Sequence, residues 1–474
     1  MFKKASLLIF VLLINVSLFA KSKYETVVLQ PTDNVVSVLK SSNKKYVICN
    51  DYDLKGKEVI IGANSILVFQ GGSLSNGRLK GNQTVIEAGL EAIFSKIENT
   101  GTFQCLAVYP QWFGAQSDGK HDCSEPIQQA INFAVNNYIV GNPWDIQQVE
   151  GNCLRVVIPA GSYILKSPIY MRDYTHMEGQ GRGISKIING GINDGKALVY
   201  LGNNDNGIRT KVNNASISNL SINGNDKNCV GIYALAQYSF VENVFITKCK
   251  GYGIYSYESW CTYINNCHFI YNAIDSDGYT IYLTGRSSGW GANAVTISEC
   301  EFIGQEIYDN NNNNKRVFKG NCIFSENGNG LRIINSTFQQ LNNCIALNSS
   351  GTGITVENCY FEAVNTPLTG VLYGVNVVNN FFTSPIYSNV IVKSSRMQGC
   401  NISNNTVTAG LSDCVIVEQV SENDNLLFYG NTYSGNFRSG TELSFSKVVL
   451  DYLKKSKSNQ VITNSGNVYG VGGK

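Results

Sequence analysis

Residues 275–290, DSDGYTIYLTGRSSGW, set two carboxylates, two tyrosines, an arginine and a tryptophan in one short stretch. Carboxyl and phenol groups beside a guanidinium can move protons and stabilise a developing negative charge, which is what cleaving a glycosidic bond requires. Asp275 and Asp277 are two residues apart, ~6.6 Å in an extended chain, inside the roughly 6.5–9.5 Å range of an inverting hydrolase pair. The same two aspartates are the candidate ligands of a calcium ion. DSDG is also the composition of a turn that opens a strand. Which of these side chains share a face depends on the elements that carry them.

Those elements announce themselves by repetition. From about residue 215 the pattern apolar, any, Asn, any, any, apolar returns as ISNLSI (217–222), VENVFI (241–246), INNCHF (264–269), ISECEF (297–302), IINSTF (333–338), VENCYF (356–361), VVNNFF (377–382), ISNNTV (402–407) and, more loosely, FYGNTY (428–433). Most intervals are 21 to 27 residues, and the two longer ones, 33 and 36, hold insertions. A period of this size implies a solenoid. Val, Ile and Phe flanked by Asn and Gly make its walls strands. Asparagine at the third position accepts left-handed backbone angles and can hydrogen-bond along a stack; Glu299 and Gly430 replace it in two copies. The expected fold is all-β, a right-handed single-stranded parallel β-helix over 107–440.

A second strand precedes each Asn turn: GIYALAQ (231–237), GIYSYES (253–259), TIYLTGR (280–286), CIFSENG (322–328) and CIALNSS (344–350). With the stacked isoleucines inward, alternation sends Tyr233, Tyr255, Tyr282, Phe324 and Ala346 outward in one column. The next outward column is Leu235, Tyr257, Thr284, Glu326 and Asn348, followed by Gln237, Ser259, Arg286, Gly328 and Ser350. Adjacent aromatic rings along a groove suit stacking against sugar faces, so Tyr233, Tyr255, Phe324, Asn348 and Trp290 are the expected substrate-binding residues. Arg286 and Glu326 differ by one coil and one outward step, about 8 Å between backbones, within reach of a pair. Tyr257, Tyr282, Arg286 and Glu326 therefore form the expected catalytic cluster. Asp277 lies about 23 Å from Glu326 and cannot share a bond with it.

The stretches WFGAQSDGKHDCSEPIQQAINFA (112–134), VVIPAGSYIL (156–165) and MEGQGRGISKI (177–187) resemble the opening segment of the pectate-lyase-like superfamily. That group comprises polysaccharide lyases, polygalacturonase-like hydrolases and phage tailspikes. The resemblance implies that the strand ahead of the Asn turn lines the substrate groove. It also weakens a hydrolase of the polygalacturonase type, because Asn-Thr-Asp followed by Asp-Asp, Gly-His-Gly and Arg-Ile-Lys are missing. Ser124 is the expected N-cap of a short helix whose Ile127, Ala130, Ile131 and Ala134 share one face and plug the open end of the solenoid.

The remaining organisation follows from composition. MFKKASLLIFVLLINVSLFA (1–20) has the charged start, apolar run and small residue of a secretory signal peptide, so export to the periplasm, cell surface or medium is expected. Residues 21–45 then form a linker, 46–106 a small β module, and 441–474 a C-terminal cap or tail. NNNNNK (310–315) is expected as a loop tip. The chain carries 37 Lys and Arg against 35 Asp and Glu, which gives no basic excess for nucleic acid. Fourteen cysteines lack any CxxC pair, and Cys267, Cys300 and Cys359 fall at one repeat position, as buried free thiols would.

β-Elimination on a uronic-acid glycan needs a cation near the carboxylate, a base for the C5 proton and an acid for the leaving oxygen. Tyr257, Tyr282 and Arg286 supply those types together, and a guanidinium nearby would lower a tyrosine pKa towards that of a base. The sequence thus points to an exported polysaccharide lyase acting on an acidic glycan. The alternatives are a hydrolase on the same fold and a non-catalytic, tailspike-like glycan binder.

Overall fold

This computed structural model describes residues 24–135, 138–140, 149–151, 154–205, 208–274, 277–286, 290–309, 315–348, 351–386, 390–408, 415–419, 426–435 and 468–471. The expected signal peptide, Asp275, Ser350, the asparagine tip 310–314 and most of the C-terminal tail lie outside them.

From residue 154 onward the chain winds through three parallel sheets of 11, 13 and 10 strands. One coil takes Ser216–Ser218 through the 11-stranded sheet, Ser221–Lys227 through the 13-stranded sheet and Val230–Ala234 through the 10-stranded sheet. The next coil repeats that path in register, with Ile217 beside Val241, Ile222 beside Ile246 and Ile232 beside Ile254. This is the right-handed parallel β-helix that the repeat requires.

The Asn turn has a backbone cause. Asn219, Asn243, Asn266, Asn335, Asn358, Asn379 and Asn404 all have φ between 49° and 58°, and Gly430 has 64°. Asparagine and glycine tolerate this left-handed conformation best, and Glu299 adopts it too, at φ 55°. The turn's side chains bond along the stack at Asn219, whose Oδ1 accepts from Asn243 Nδ2 at 2.6 Å. A fully buried amide ladder runs one position later. There Asn405 Nδ2 donates to Val377 O and Asn431 Oδ1, while its Oδ1 accepts from Asn380. In earlier coils that inward position holds Leu220, Val244, Cys267, Cys300 and Cys359, all buried. The twelve described cysteines are free thiols.

Stacked phenylalanines fill the core beneath the 13-stranded sheet. Phe269, Phe302, Phe338, Phe361 and Phe382 follow one another at 4.7–5.1 Å between ring centres. Rings in register gain offset contact in addition to their buried area.

The helix Ser124–Val135 buries Ile127, Ala130, Ile131 and Ala134, as its spacing predicts. Its cap differs from expectation. Ser124 is the first helical residue, and Asp122 Oδ1 accepts both its N–H and its hydroxyl. The freed Ser124 oxygen accepts instead from the backbone of Lys166 and Ser167 at 3.0 Å each. Gln128 exchanges two hydrogen bonds with the backbone of Tyr170, satisfying the first edge of the 10-stranded sheet.

Residues 24–106 belong to a separate compact unit with its own seven-stranded sheet of parallel pairs. Its first strand, Glu25–Val28, pairs with Lys44–Ile48 inside the segment expected to be a linker. That edge strand is only four residues, ETVV, and mostly exposed, so it left little pattern in the sequence.

Candidate functional site

The outer face of the 10-stranded sheet carries the aromatic column, and it is longer than the sequence suggested. Tyr170 and Tyr200 stack at 5.0 Å, Tyr200 meets Tyr233 at 5.4 Å, and Tyr233 stacks on Tyr255 at 5.7 Å. Tyr255 and Tyr282 are nearly parallel at 5.4 Å, and Tyr282 leans on Phe324 at 4.9 Å. Six rings thus form one ladder. Tyr252 buttresses Tyr255 and Tyr282 edge-on, and Tyr279 packs against Phe324 at a 36° tilt. Tyr170 and Tyr200 escaped the sequence reading because their strands, Ile169–Met171 and Ala197–Leu201, lie in coils before the Asn pattern begins. Backbone register ties them in directly, Tyr170 beside Tyr200 and Tyr200 beside Tyr233.

Beyond the ladder the expected outward columns break down. Leu235, Thr284, Gln237 and Ser259 are buried. At Ser259 alternation fails because Glu258, just before it, adopts φ 49°, which bends the chain at the strand end. Asn348 is exposed where expected, at the end of the strand Asn343–Leu347.

The same bend creates the charged centre of the site. Glu258 is only 7% exposed, and its Oε1 accepts from Arg286 Nε at 2.5 Å and from the Arg286 backbone at 3.3 Å. The ion pair of Arg286 is therefore with Glu258, a residue that sequence reasoning passed over, whereas Glu326 was the expected partner. The Arg286 guanidinium also lies over the Trp290 ring, 4.7 Å from its centre. Glu326 accepts the Thr284 hydroxyl.

These contacts bring two carboxylates onto one coil from opposite sides. Tyr257 is in register with Thr284, so Glu258 comes from the coil before Thr284 and Arg286, and Glu326 from the coil after. Their anchor points, Thr284 and Arg286, are two residues apart in one coil.

Burial controls the phenols. Desolvation raises the Tyr282 pKa to about 12, with Glu326 and Tyr252 adding to the rise. Desolvation likewise takes Tyr255 to about 12, followed by Tyr252 and Glu326. Tyr233 is also pushed up, by desolvation and then by Tyr255 and Tyr257. The shift of Tyr282 is thus upward, where the expectation was a tyrosine lowered by a nearby guanidinium. Asp277 is exposed and raises the pKa of Tyr279, after desolvation. No three His, Cys, Asp or Glu side chains gather as metal ligands among the described residues.

Residues 111–200 match the family described as Rhamnogalacturonase A/epimerase, pectate lyase-like. That span covers the helix and first coils and stops before Tyr257, Arg286 and Glu326. No curated protein matches the sequence. Among solved structures, the tailspike protein of E. coli bacteriophage HK620 in complex with a pentasaccharide aligns with a TM-score of 0.55 at 13% identity, over 77% of this chain and 67% of that one. PfbA, a surface adhesin of Streptococcus pneumoniae, aligns with a TM-score of 0.52 at 15% identity, over 70% of this chain and 90% of that one. ORF18 of Geobacillus virus E2 aligns at 0.49 with 17% identity, over 71% of this chain and 62% of that one, so the chain spans about three fifths of that protein. The fold is that of the pectate-lyase-like superfamily.

Proposed function

We propose that this is an exported protein that binds a polysaccharide along the Tyr170–Phe324 ladder and hydrolyses it at the Glu258–Glu326 pair. The observation that carries this reading is the approach of the two carboxylates to the Thr284–Arg286 coil, one from each neighbouring coil, the convergence that an acid and a base flanking one bond require. Glu258, ion-paired to Arg286, takes a proton from water. Glu326 gives a proton to the leaving oxygen. The water oxygen bonds to the anomeric carbon as the bond from that carbon to the leaving oxygen breaks. Tyr255 and Tyr282, protonated throughout, donate to sugar hydroxyls. A family description that names a rhamnogalacturonase and a tailspike bound to a pentasaccharide support a sugar ligand. The apolar segment at 1–20 supports export.

β-Elimination on a uronate glycan is the second reading, supported by Tyr257 and Arg286 on neighbouring coils. The Glu258 bond works against it, since it offsets the charge that a substrate carboxylate would need. Incubation with pectin, alginate and chondroitin sulfate separates the two. New reducing ends without ultraviolet absorbance of an unsaturated product mean hydrolysis, and absorbance means elimination. Full turnover by both Glu258→Gln and Glu326→Gln would overturn the assignment of the pair.

A further inference from the structure

A second aromatic surface lies around the corner from the ladder. Nine large aromatic side chains are exposed among the described residues, and five of them, Tyr238, Phe240, Trp260, Tyr263 and Trp290, sit on three successive coils where the 10-stranded sheet passes to the 11-stranded one. Phe240 and Tyr263 begin adjacent strands of the 11-stranded sheet and stack at 5.1 Å with 12° between planes. Trp260 lies in backbone register between Gln237 and Asn293, and the Tyr238 N–H donates to its carbonyl. Tyr238, Phe240 and Trp260 are each 44% exposed and Tyr263 is 40%.

Backbone strain holds this surface outward. Tyr238 and Cys261 take φ 51° and 49° at the corner, turning the chain so that Phe240 and Tyr263 face solvent on the new sheet. The surface is continuous with the proposed site. Trp260 follows Glu258 by two residues, about 6–7 Å along the chain, and Trp290 joins Arg286 at the same corner.

The composition identifies the occupant. Between residues 215 and 300 every exposed large apolar side chain among the described residues is aromatic, with no exposed Leu, Ile, Val or Met. Protein-docking surfaces mix aromatic rings with Met and aliphatic side chains around their core. Flat rings in register, two of them with hydroxyls, match the alternating C–H and O–H surface of a sugar chain.

Building on the hydrolase reading, we propose that the glycan does not end at the ladder: it passes the Glu258–Arg286 corner and continues onto the Trp260, Tyr263 and Phe240 rings of the neighbouring sheet. The ladder then holds one side of the scissile bond and the corner rings the other. A long polymer engages both surfaces, whereas a short oligosaccharide is held by the ladder alone.

Affinity electrophoresis of the full chain in gels containing pectin, alginate or chondroitin sulfate tests this. With the polymer that retards the wild type, Phe240→Ala/Tyr263→Ala and Trp260→Ala are expected to bind roughly fivefold to tenfold more weakly. Their affinity for a short oligosaccharide of that polymer, measured by calorimetry, should stay unchanged because the ladder alone holds it, and Trp260→Phe should restore most of the retardation. Melting curves of these exposed-residue variants report folding independently. Unchanged retardation of the corner variants overturns the proposal, even when Tyr255→Ala/Tyr282→Ala loses binding and so upholds the ladder. Loss in the corner variants alone keeps the corner and overturns the ladder reading. No retardation of the wild type by any of the three polymers overturns both.

Discussion

The Arg286–Glu258 pair is asymmetric, and the asymmetry fixes what each deletion costs. Glu258 is 7% exposed at its side chain, while Arg286 is 43% exposed. Arg286→Met strands a buried carboxylate. Removing one partner of a fully buried pair costs about 3–5 kcal/mol, and the half-exposed arginine reduces this to roughly 2–3 kcal/mol here. Glu258→Gln leaves behind a guanidinium that can turn to water while keeping its stack on Trp290. That change should cost about 1 kcal/mol, the scale of a lost hydrogen bond to a charged group at a half-open site. In the double variant the stranded charge is gone, so its cost should fall near that of Glu258→Gln and well below the sum, a coupling of about 2 kcal/mol. Urea midpoints of the four proteins, taken under identical conditions, give the cycle. Trp290 fluorescence should rise in Arg286→Met as the guanidinium leaves the ring. A Glu258→Gln variant as destabilised as Arg286→Met, or a double variant at the sum of the singles, would refute the reasoning.

Three further outcomes follow from the fold and the ladder. Glu299→Asn should stabilise the protein by about 0.5–1 kcal/mol in the same urea assay, because it relieves a left-handed position held by a residue that resists it. Asn405→Ala should destabilise by about 2–4 kcal/mol, since it orphans the buried Asn380 N–H and the Val377 carbonyl. Tyr255 and Tyr282 titrate near 12 in the folded chain against an ordinary value near 10. The unfolded chain therefore binds fewer protons between these values, so their contribution to stability is complete below about pH 10 and is lost as pH rises towards 12. Absorbance at the tyrosinate band should show Tyr255→Phe and Tyr282→Phe each removing a late-titrating phenol, and an early titration of both would exclude their burial.

The solenoid was legible because its cause is local and repeated. A left-handed turn every coil demands Asn or Gly, and an inward strand demands Val, Ile or Phe, so Asn219 to Asn404 write the fold directly into the chain. Tyr233, Tyr255, Tyr282 and Phe324 were legible for the same reason, since alternation holds while a strand stays regular. The charged centre was not. Glu258 sits where the strand bends to φ 49°, and past that bend the parity of side chains carries no information. The pairing of Arg286 depends on where the bend at Glu258 aims that carboxylate, and no residue type in the stretch announces it. The corner aromatics were scattered in sequence and became one surface only when adjacent coils were laid in register.

Because the stacking contacts of a coil run mainly to its neighbours, a solenoid can lengthen or shorten by whole turns with little disturbance to the rest. The Glu258–Arg286–Glu326 centre lies just past the ends of three consecutive strands of one sheet, whereas Tyr170, Tyr200 and Tyr233 come from earlier coils of that sheet. Gain or loss of a coil on that side would change the length of the aromatic ladder, and with it the number of sugar units the proposed site would bind, and leave the charged centre untouched. The length of the ladder and the make-up of the charged centre can therefore evolve as separate traits in this architecture.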